Sequence, residues 1–128
     1  MWTPVQVLSE RPAICIRQPY VQQILEGAKT YEYRTTRTHK RGTVYVYASK
    51  TCEPKTKWGS TVKNDLFVTG VVVGTVDITD CVWFPERGER GEFGYKLENP
   101  VRFAEPLVPN VGQKPQPIWF YPFGPFGQ

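Results

Sequence analysis

The sequence predicts an α+β protein, a small mixed β-barrel of five to six strands with one main helix near residues 19–26. Three observations support this expectation. The length of 128 residues, with 40% hydrophobic and 22% charged residues, fits one globular domain. Several short segments alternate polar residues with β-branched or aromatic ones, which is typical of strands. A single clear segment spaces its apolar residues as a helix does.

The first three elements lie close together in the sequence. Residues 13–16 form a short apolar run that suits a buried strand. The helix begins at Pro19, since proline is favoured in the first turn, and its apolar residues recur three and four positions apart until Gly27. Residues 30–35 then alternate with a period of two, which predicts a second strand.

Further strands are expected at residues 43–48, 66–82, 93–103 and 118–121. Gly74 lies inside the longest of them and indicates a bend or a close backbone approach. Asn99 and Pro100 predict a break within the strand that follows. Residues 49–64 are expected to form a loop. The last strand follows a proline-rich stretch, so it is compatible with a sheet edge.

Several classes of protein are not favoured by the composition. No apolar run approaches the roughly 18 residues that span a bilayer, and the first residues lack the plan of a signal peptide, so we expect a cytoplasmic protein without membrane contact. Cys15, Cys52 and Cys81 are odd in number and far apart, which favours neither a disulfide nor a metal site. No cofactor is expected, and a monomer is favoured. A Ser-His-Asp triad would have to use His39, which lies in a cationic run.

The positive charge is concentrated in one half of the chain. Residues 1–63 carry eleven lysines and arginines against four acidic residues, whereas residues 64–128 carry five against eight. A basic half suits an anionic polymer, because each cation at a phosphate releases counterions, and a solvated basic surface is the alternative. Residues 86–92 are locally charge-balanced, so we expect a solvated connection there.

A cluster of unlike charges follows the helix. Glu32 and Arg34 are expected on one face of their strand and Tyr31 and Tyr33 on the other, with Lys29 at the preceding turn. Arginine forks onto a phosphate or carbonyl oxygen, a carboxylate accepts from an amino group, and tyrosine stacks on a base. The spacing alone favours a second interpretation, a surface ladder of salt bridges, because exposed ion pairs are common.

The charged cluster is part of a series of motifs. Gly27, Lys29, Glu32 and Arg34 form the pattern G-x-K-x-x-E-x-R, and it is flanked by I-C-I-R-Q-P-Y, R-G-T-V-Y-V-Y-A-S-K, V-V-G-T-V and F-G-Y-K-L-E-N-P. Their order resembles the ASCH (activating signal cointegrator homology) family, which has a PUA-like β-barrel fold. The resemblance covers about residues 13–121. It implies one domain over residues 1–128, with a proline- and aromatic-rich tail at 122–128.

The resemblance implies binding of RNA or a modified nucleoside in a basic cleft beside the helix. Glu32 would accept a hydrogen bond from an exocyclic amine, and Arg34 and Lys50 would hold phosphates or base edges. The residues expected at this site are Arg17, Gln18, Tyr20, Lys29, Glu32, Arg34, Ser49 and Lys50.

An enzymatic function is the alternative that the same resemblance implies. Some family members hydrolyse acetylated cytidine, and others have been described as ribonucleases. The amidohydrolase branch uses a lysine, which matches Lys29, and a threonine where this chain has Glu32. The alternative is therefore a metal-independent amidohydrolase acting on acylated nucleobases, or a ribonuclease, with Lys29 and Glu32 as its catalytic residues.

Four other residues have two interpretations each. Tyr45 and Tyr47 share one face of a strand and would either stack on bases or pack in the core, and the core is favoured. Asp77 and Asp80 would either hold Mg²⁺ or end a strand in water, and the strand end is favoured.

The aromatic residues of the C-terminal half suggest a third class of function. Trp119 to Phe123, together with Phe126, would dock on a partner protein if the chain were an adaptor. Packing or a place at the rim of a site is the expected role of the tryptophans Trp58, Trp83 and Trp119.

Overall fold

The computed structural model describes residues 7–51, 67–110, 112–115 and 118–124. The elements in chain order are β1 (Ala13–Ile16), α1 (Tyr20–Leu25), β2 (Tyr31–Arg34), β3 (Gly42–Ala48), β4 (Val71–Phe84), β5 (Glu92–Leu107) and β6 (Trp119–Phe120). The expected helix and a fold of six strands are confirmed in these ranges. The expectation that all strands are short is wrong, because β4 has 14 residues and β5 has 16. Most of the expected loop at 49–64, with Trp58, lies outside the described residues, as does Phe126.

The six strands form one mixed sheet in the order β2-β5-β4-β3-β1-β6. β1 runs parallel to β3, and the other neighbouring pairs are antiparallel. The last strand, β6, ends the series, which agrees with its compatibility with a sheet edge. Backbone pairing leaves β2 and β6 as separate edges of the described sheet, so the mixed sheet is confirmed and its closure into a barrel stays a prediction. No helix in the described ranges is long and apolar enough to cross a bilayer.

The central strands are buried on both faces, which explains why they read as nearly continuous apolar runs. One face of the sheet, the inner face, packs against α1, with Ile14, Ile16 and Val46 in its core. Tyr95 and Leu97 of β5 complete this core from across the sheet.

The outer face has a second, smaller core. Tyr45 and Tyr47 lie there, each 2% exposed, so the favoured interpretation that they are core residues is confirmed. The rings of Phe120 and Phe123 pack edge-on against them, at centroid distances of 5.0 Å from Tyr47 and 5.1 Å from Tyr45 respectively. The described part of the aromatic tail therefore covers the sheet.

Gly74 confirms the expected close backbone approach. A Cβ atom at this position would lie 2.1 Å from the carbonyl oxygen of Val101 on β5. The predicted strand break at Asn99 and Pro100 is wrong, because β5 continues through it. The register with β4 shifts there instead, and Asn99 takes a φ of 53°, so the extra residue is accommodated as a bulge.

Candidate functional site

Three charged side chains meet on the inner face of β2. Glu32 is 7% exposed, and its carboxylate lies between two cations. Lys29 Nζ lies 3.5 Å from Oε1, and Arg34 Nη2 lies 3.3 Å from Oε2. The two strand residues share a face because side chains alternate along β2. We call Lys29, Glu32 and Arg34 the ionic cluster.

Two aromatic rings hold the ammonium of Lys29 in place. Its Nζ lies 5.5 Å from the ring centroid of Tyr20 on α1 and 5.2 Å from that of Tyr33 on β2. Both distances are within the range of cation–π attraction. The lysine side chain is 18% exposed, so its ammonium is positioned by protein groups while one side stays open to solvent.

Arg34 reaches across the opening between β2 and β1. Its Nη2 donates a hydrogen bond to the carbonyl oxygen of Cys15 at 2.5 Å, in addition to its contact with Glu32. The N–H of Cys15 donates to the carbonyl of Ile118, so both backbone groups of Cys15 are used on this side. The guanidinium is therefore fixed by two different elements.

Tyr95 forms the floor beneath the ionic cluster. It is the register partner of Glu32 on β5 and is fully buried. Its hydroxyl donates a hydrogen bond of 2.6 Å to the carbonyl of Thr36, and burial raises the pKa of this hydroxyl. The floor is therefore a neutral ring whose hydroxyl is held by a hydrogen bond, and the charges lie above it.

A second group of expected site residues gathers at the carboxyl ends of β1 and β3. These strands are parallel, and Ile16 is paired with Ala48. The residues that follow them, Arg17 and Ser49, therefore lie at the same end of the sheet. The N–H of Ser49 donates to the carbonyl of Ile16 at 2.8 Å. Arg17 and Lys50 are exposed there. We call Arg17, Ser49 and Lys50 the basic rim.

Gln18 has a structural role in addition to its place next to the rim. It is 1% exposed, and its Nε2 donates to the carbonyl of Val68 at 3.0 Å. Its Oε1 accepts the backbone N–H of Gln22 at 3.3 Å, within the first turn of α1. Both ends of the Gln18 amide therefore have protein partners. Tyr20, two residues later, links the rim to the ionic cluster through its contact with Lys29.

A cavity of about 280 Å³ opens beside the C-terminal end of α1. Lys29 lines one side of it and Asn99 and Pro100 of the bulge line another. This volume is near the lower limit of small-molecule sites. In the described parts of the chain, no three histidine, cysteine, aspartate or glutamate side chains are grouped so as to hold a metal ion.

Sequence reasoning missed the part that Arg87 plays. The expected solvated connection at 86–92 is largely exposed, but Arg87 packs over Tyr33, with its Cζ atom 3.4 Å from the ring centroid. Its Nε also lies 3.3 Å from Oε1 of Glu92. The loop thus covers the outer side of β2 behind the ionic cluster. No local pattern indicates this contact, because it depends on the register between β2 and β5.

Comparison with known proteins gives a family and a fold. The sequence profile of the ASCH domain matches residues 14–101. A search of curated proteins finds no match. Among solved structures, the chain is similar to the crystal structure of a ZmASCH mutant protein from Zymomonas mobilis, with 13% identity and a TM-score of 0.54. The similarity covers 77% of this chain and 76% of that one.

Proposed function

Because the chain belongs to the ASCH domain family, we propose that it binds RNA or a modified nucleoside at the ionic cluster and the basic rim. ASCH domains are generally associated with RNA binding. The observation that carries the proposal is the buried Glu32 carboxylate, held between Lys29 and Arg34.

The free-energy cost of burying these charges supports a functional role. Taking ions out of water is expensive, and a hydrophobic replacement is often as stable, so a buried ion pair is weak evidence of a purely stabilising role. A cluster with fixed geometry is suited to a polar planar ligand. Glu32 accepts a hydrogen bond from an exocyclic amine, and Arg34 donates to a carbonyl or phosphate oxygen.

The surroundings of the cluster suit the rest of a nucleotide. Tyr20 is half-buried, so one part of its ring is available to stack on a base. Arg17 and Lys50 of the basic rim are exposed and hold phosphates. Because phosphate contacts release counterions, the affinity for RNA falls as salt rises.

Two contacts between distant strands support closure of the sheet into a PUA-like barrel. Arg34 on one edge strand reaches the backbone of β1 beside the other edge. The rings of Tyr95 and Trp119 also stack, with 9° between their planes, although β5 and β6 lie far apart in the strand order. In the proposed barrel, these contacts hold the two ends of the strand series together, and Arg34 of the ionic cluster lies at that junction.

A second function, hydrolysis of an acylated nucleobase, rests on the pairing of Lys29 with Glu32. In this reaction Glu32 takes a proton from water, and the resulting hydroxide attacks the acyl carbon. The ammonium of Lys29 stabilises the oxyanion. The carbon–nitrogen bond then breaks, and the amine leaves with the proton returned by Glu32. A ribonuclease would use the same two residues on a phosphate ester.

Binding and turnover are tested with the same variants. We expect Lys29→Ala and Glu32→Gln to weaken binding of the nucleoside or RNA about tenfold or more, as loss of a charged hydrogen bond does. The matched control is Lys114→Ala, which removes an exposed lysine that belongs to neither the ionic cluster nor the basic rim. Isothermal titration with cytidine, acetylated cytidine and a short RNA measures binding, and circular dichroism verifies folding.

The outcomes separate the two functions. Binding lost in both variants, without product detected by mass spectrometry, supports the binding function. Release of acetate by the wild type that stops in Lys29→Ala supports the hydrolase. If both variants bind every ligand as the wild type does, the ionic cluster is not the site.

A further inference from the structure

A second concave surface lies near the tip of the hairpin formed by β4 and β5. Its volume is about 590 Å³. We call it the hairpin groove, and its lining residues are Thr35, Arg37, Trp83, Arg90, Gly91 and Phe93.

Trp83 is exposed and yet held in one orientation. The indole is 47% exposed, which is unusual for a tryptophan. One side packs on Phe93, with 4.9 Å between ring centroids and 53° between planes. Gly91 supports the ring edge, since a Cβ atom there would lie 2.3 Å from Cη2 of Trp83. A large aromatic surface therefore faces the groove without needing to be ordered by a ligand.

The groove carries positive charge. Arg37 lies over the ring of Phe93, with its Cζ atom 5.2 Å from the centroid, and Arg90 is exposed on the same lining. The six lining residues include no acidic side chain. Glu92 lies between Gly91 and Phe93 in the sequence but is not among the lining residues. Its carboxylate pairs with Arg87, with 3.3 Å between Oε1 and Nε. Two guanidinium groups beside an open indole suit a phosphate with an attached base.

Sheet register makes the groove continuous with the ionic cluster. Arg34 of β2 is paired with Phe93 of β5, and Phe93 is paired with Trp83 of β4. Paired residues of antiparallel strands project to the same face. Neighbouring strands are separated by about 4.8 Å, so Trp83 lies roughly 10 Å across the sheet from Arg34. The three side chains form one row along the inner face.

We propose that the hairpin groove binds a neighbouring nucleotide of a single-stranded RNA whose other part occupies the ionic cluster. A base stacks on Trp83, and Arg37 and Arg90 hold the adjacent phosphates. This inference rests on the proposed function and adds the path of the RNA across the sheet, which runs from β2 over β5 to β4. It also requires single-stranded RNA, because the base must be unstacked from its neighbours to lie on the indole.

The test compares Trp83→Ala with Trp83→Phe and with a matched control. The probe is fluorescein-labelled oligouridine of about eight nucleotides. This length is within the site sizes of small domains that bind single-stranded nucleic acid. We expect Trp83→Ala to weaken binding between about fivefold and about a hundredfold, which corresponds to loss of one stacked base. Trp83→Phe retains a ring and most of the affinity. Tyr121→Ala removes another exposed aromatic residue and leaves binding unchanged.

Two further measurements report on the groove directly. Replacing Arg90 with glutamine reduces the slope of log affinity against log salt by about 0.7, as loss of one phosphate contact on a single strand does. An oligonucleotide carrying 5-iodouridine crosslinks to Trp83 under ultraviolet light, and mass spectrometry identifies the modified peptide. A tryptophan that serves only to pack the hairpin gives no crosslink, and an Arg90 that contacts no phosphate leaves the slope unchanged.

Failure of this inference and failure of the proposed function give different results. If the oligonucleotide binds and Lys29→Ala weakens it, but Trp83→Ala binds as the wild type does, the groove is not part of the RNA path. The proposed function then stands. If the wild type binds no oligonucleotide, the RNA path is overturned, and the nucleoside titrations decide whether the ionic cluster binds a ligand.

Discussion

The guanidinium of Arg34 on β2 donates a hydrogen bond to the backbone carbonyl of Cys15 on β1, although three strands separate β2 from β1 in the sheet. Cys15 follows the two β1 residues that pair with β6, since Ala13 is the register partner of Phe120 and Ile14 that of Trp119. The same guanidinium lies beside the carboxylate of Glu32. The Arg34 side chain thus links β2 to β1 and also contacts the Glu32 carboxylate of the ionic cluster.

Replacing Arg34 with lysine will break this link. A lysine keeps the charge but lacks the planar fork that contacts the Glu32 carboxylate and the Cys15 carbonyl together. We expect a loss of about 1–2 kcal/mol in the free energy of unfolding, reduced from the value for a fully buried pair because the side chain is partly exposed. Urea denaturation measures the loss. Arg90→Lys, at an exposed site, is the control, and an equal effect in both would refute the link.

Gly74 and Gly42 show two different physical reasons for a glycine, a close backbone approach and a positive φ. At Gly74 an added Cβ would lie 2.1 Å from the Val101 carbonyl oxygen, so Gly74→Ala must push β4 and β5 apart. At Gly42 the space is open, and alanine meets only the strain of a φ of 93°. We expect losses of about 3 kcal/mol for Gly74→Ala and about 1 kcal/mol for Gly42→Ala. Thermal denaturation ranks the two, and the reverse order would contradict the explanation.

Asp77 will make stability depend on pH in the acid range. The hydroxyl of Thr43 and the amide of Asn99 donate hydrogen bonds to its carboxylate and lower its pKa. Its stabilising contribution is therefore complete above the unfolded pKa of about 4 and is lost as the pH falls through the lower folded value.

Carboxyl NMR titration checks this assignment. Thr43→Val should move the pKa of Asp77 upward, towards its ordinary value, because the first donor is gone. Thr79→Val, which changes an exposed threonine on the same strand, is the control. An Asp77 pKa that is the same in wild type and Thr43→Val would show that the hydroxyl does not stabilise the charged form.

Cys15 will resist alkylation in the folded protein. Burial raises the pKa of its thiol to about 11, and the thiolate is the reactive form. With iodoacetamide at a pH of about 8, we expect Cys81, which is only partly buried, to be modified before Cys15. Peptide mass spectrometry follows both sites, and denatured protein provides the reference in which Cys15 reacts. Equally fast labelling of both in the native state would show that Cys15 is accessible.

Phe123 will prove important for folding. Its ring is 7% exposed and packs against Tyr45. Phe123→Ala should reduce the free energy of unfolding by about 3 kcal/mol, as expected for a buried aromatic ring. Tyr121→Ala, at a residue that is 38% exposed, should change it by less than about 1 kcal/mol. Similar small losses in both would leave the tail available for a partner, as an adaptor requires.

Local sequence patterns were sufficient for most of the elements. The apolar run at Ala13 to Ile16, the helix that ends before Gly27 and the close approach at Gly74 all follow from periods and residue types over a few positions. The bulge at Asn99 could not be separated from a strand break, because both have the same asparagine and proline signal. Only the pairing of β5 with β4 continues the strand through that point.

The candidate site divides in the same way. Sequence alone determined that Glu32 and Arg34 share a face and that the family signature includes Lys29, since these depend on spacing within one strand and one turn. Tertiary structure decided that Arg34 meets Cys15, that Arg87 covers Tyr33 and that Trp83 forms a row with Phe93. These contacts join residues far apart in the chain, and their register is set by packing of the whole sheet, which no local pattern encodes.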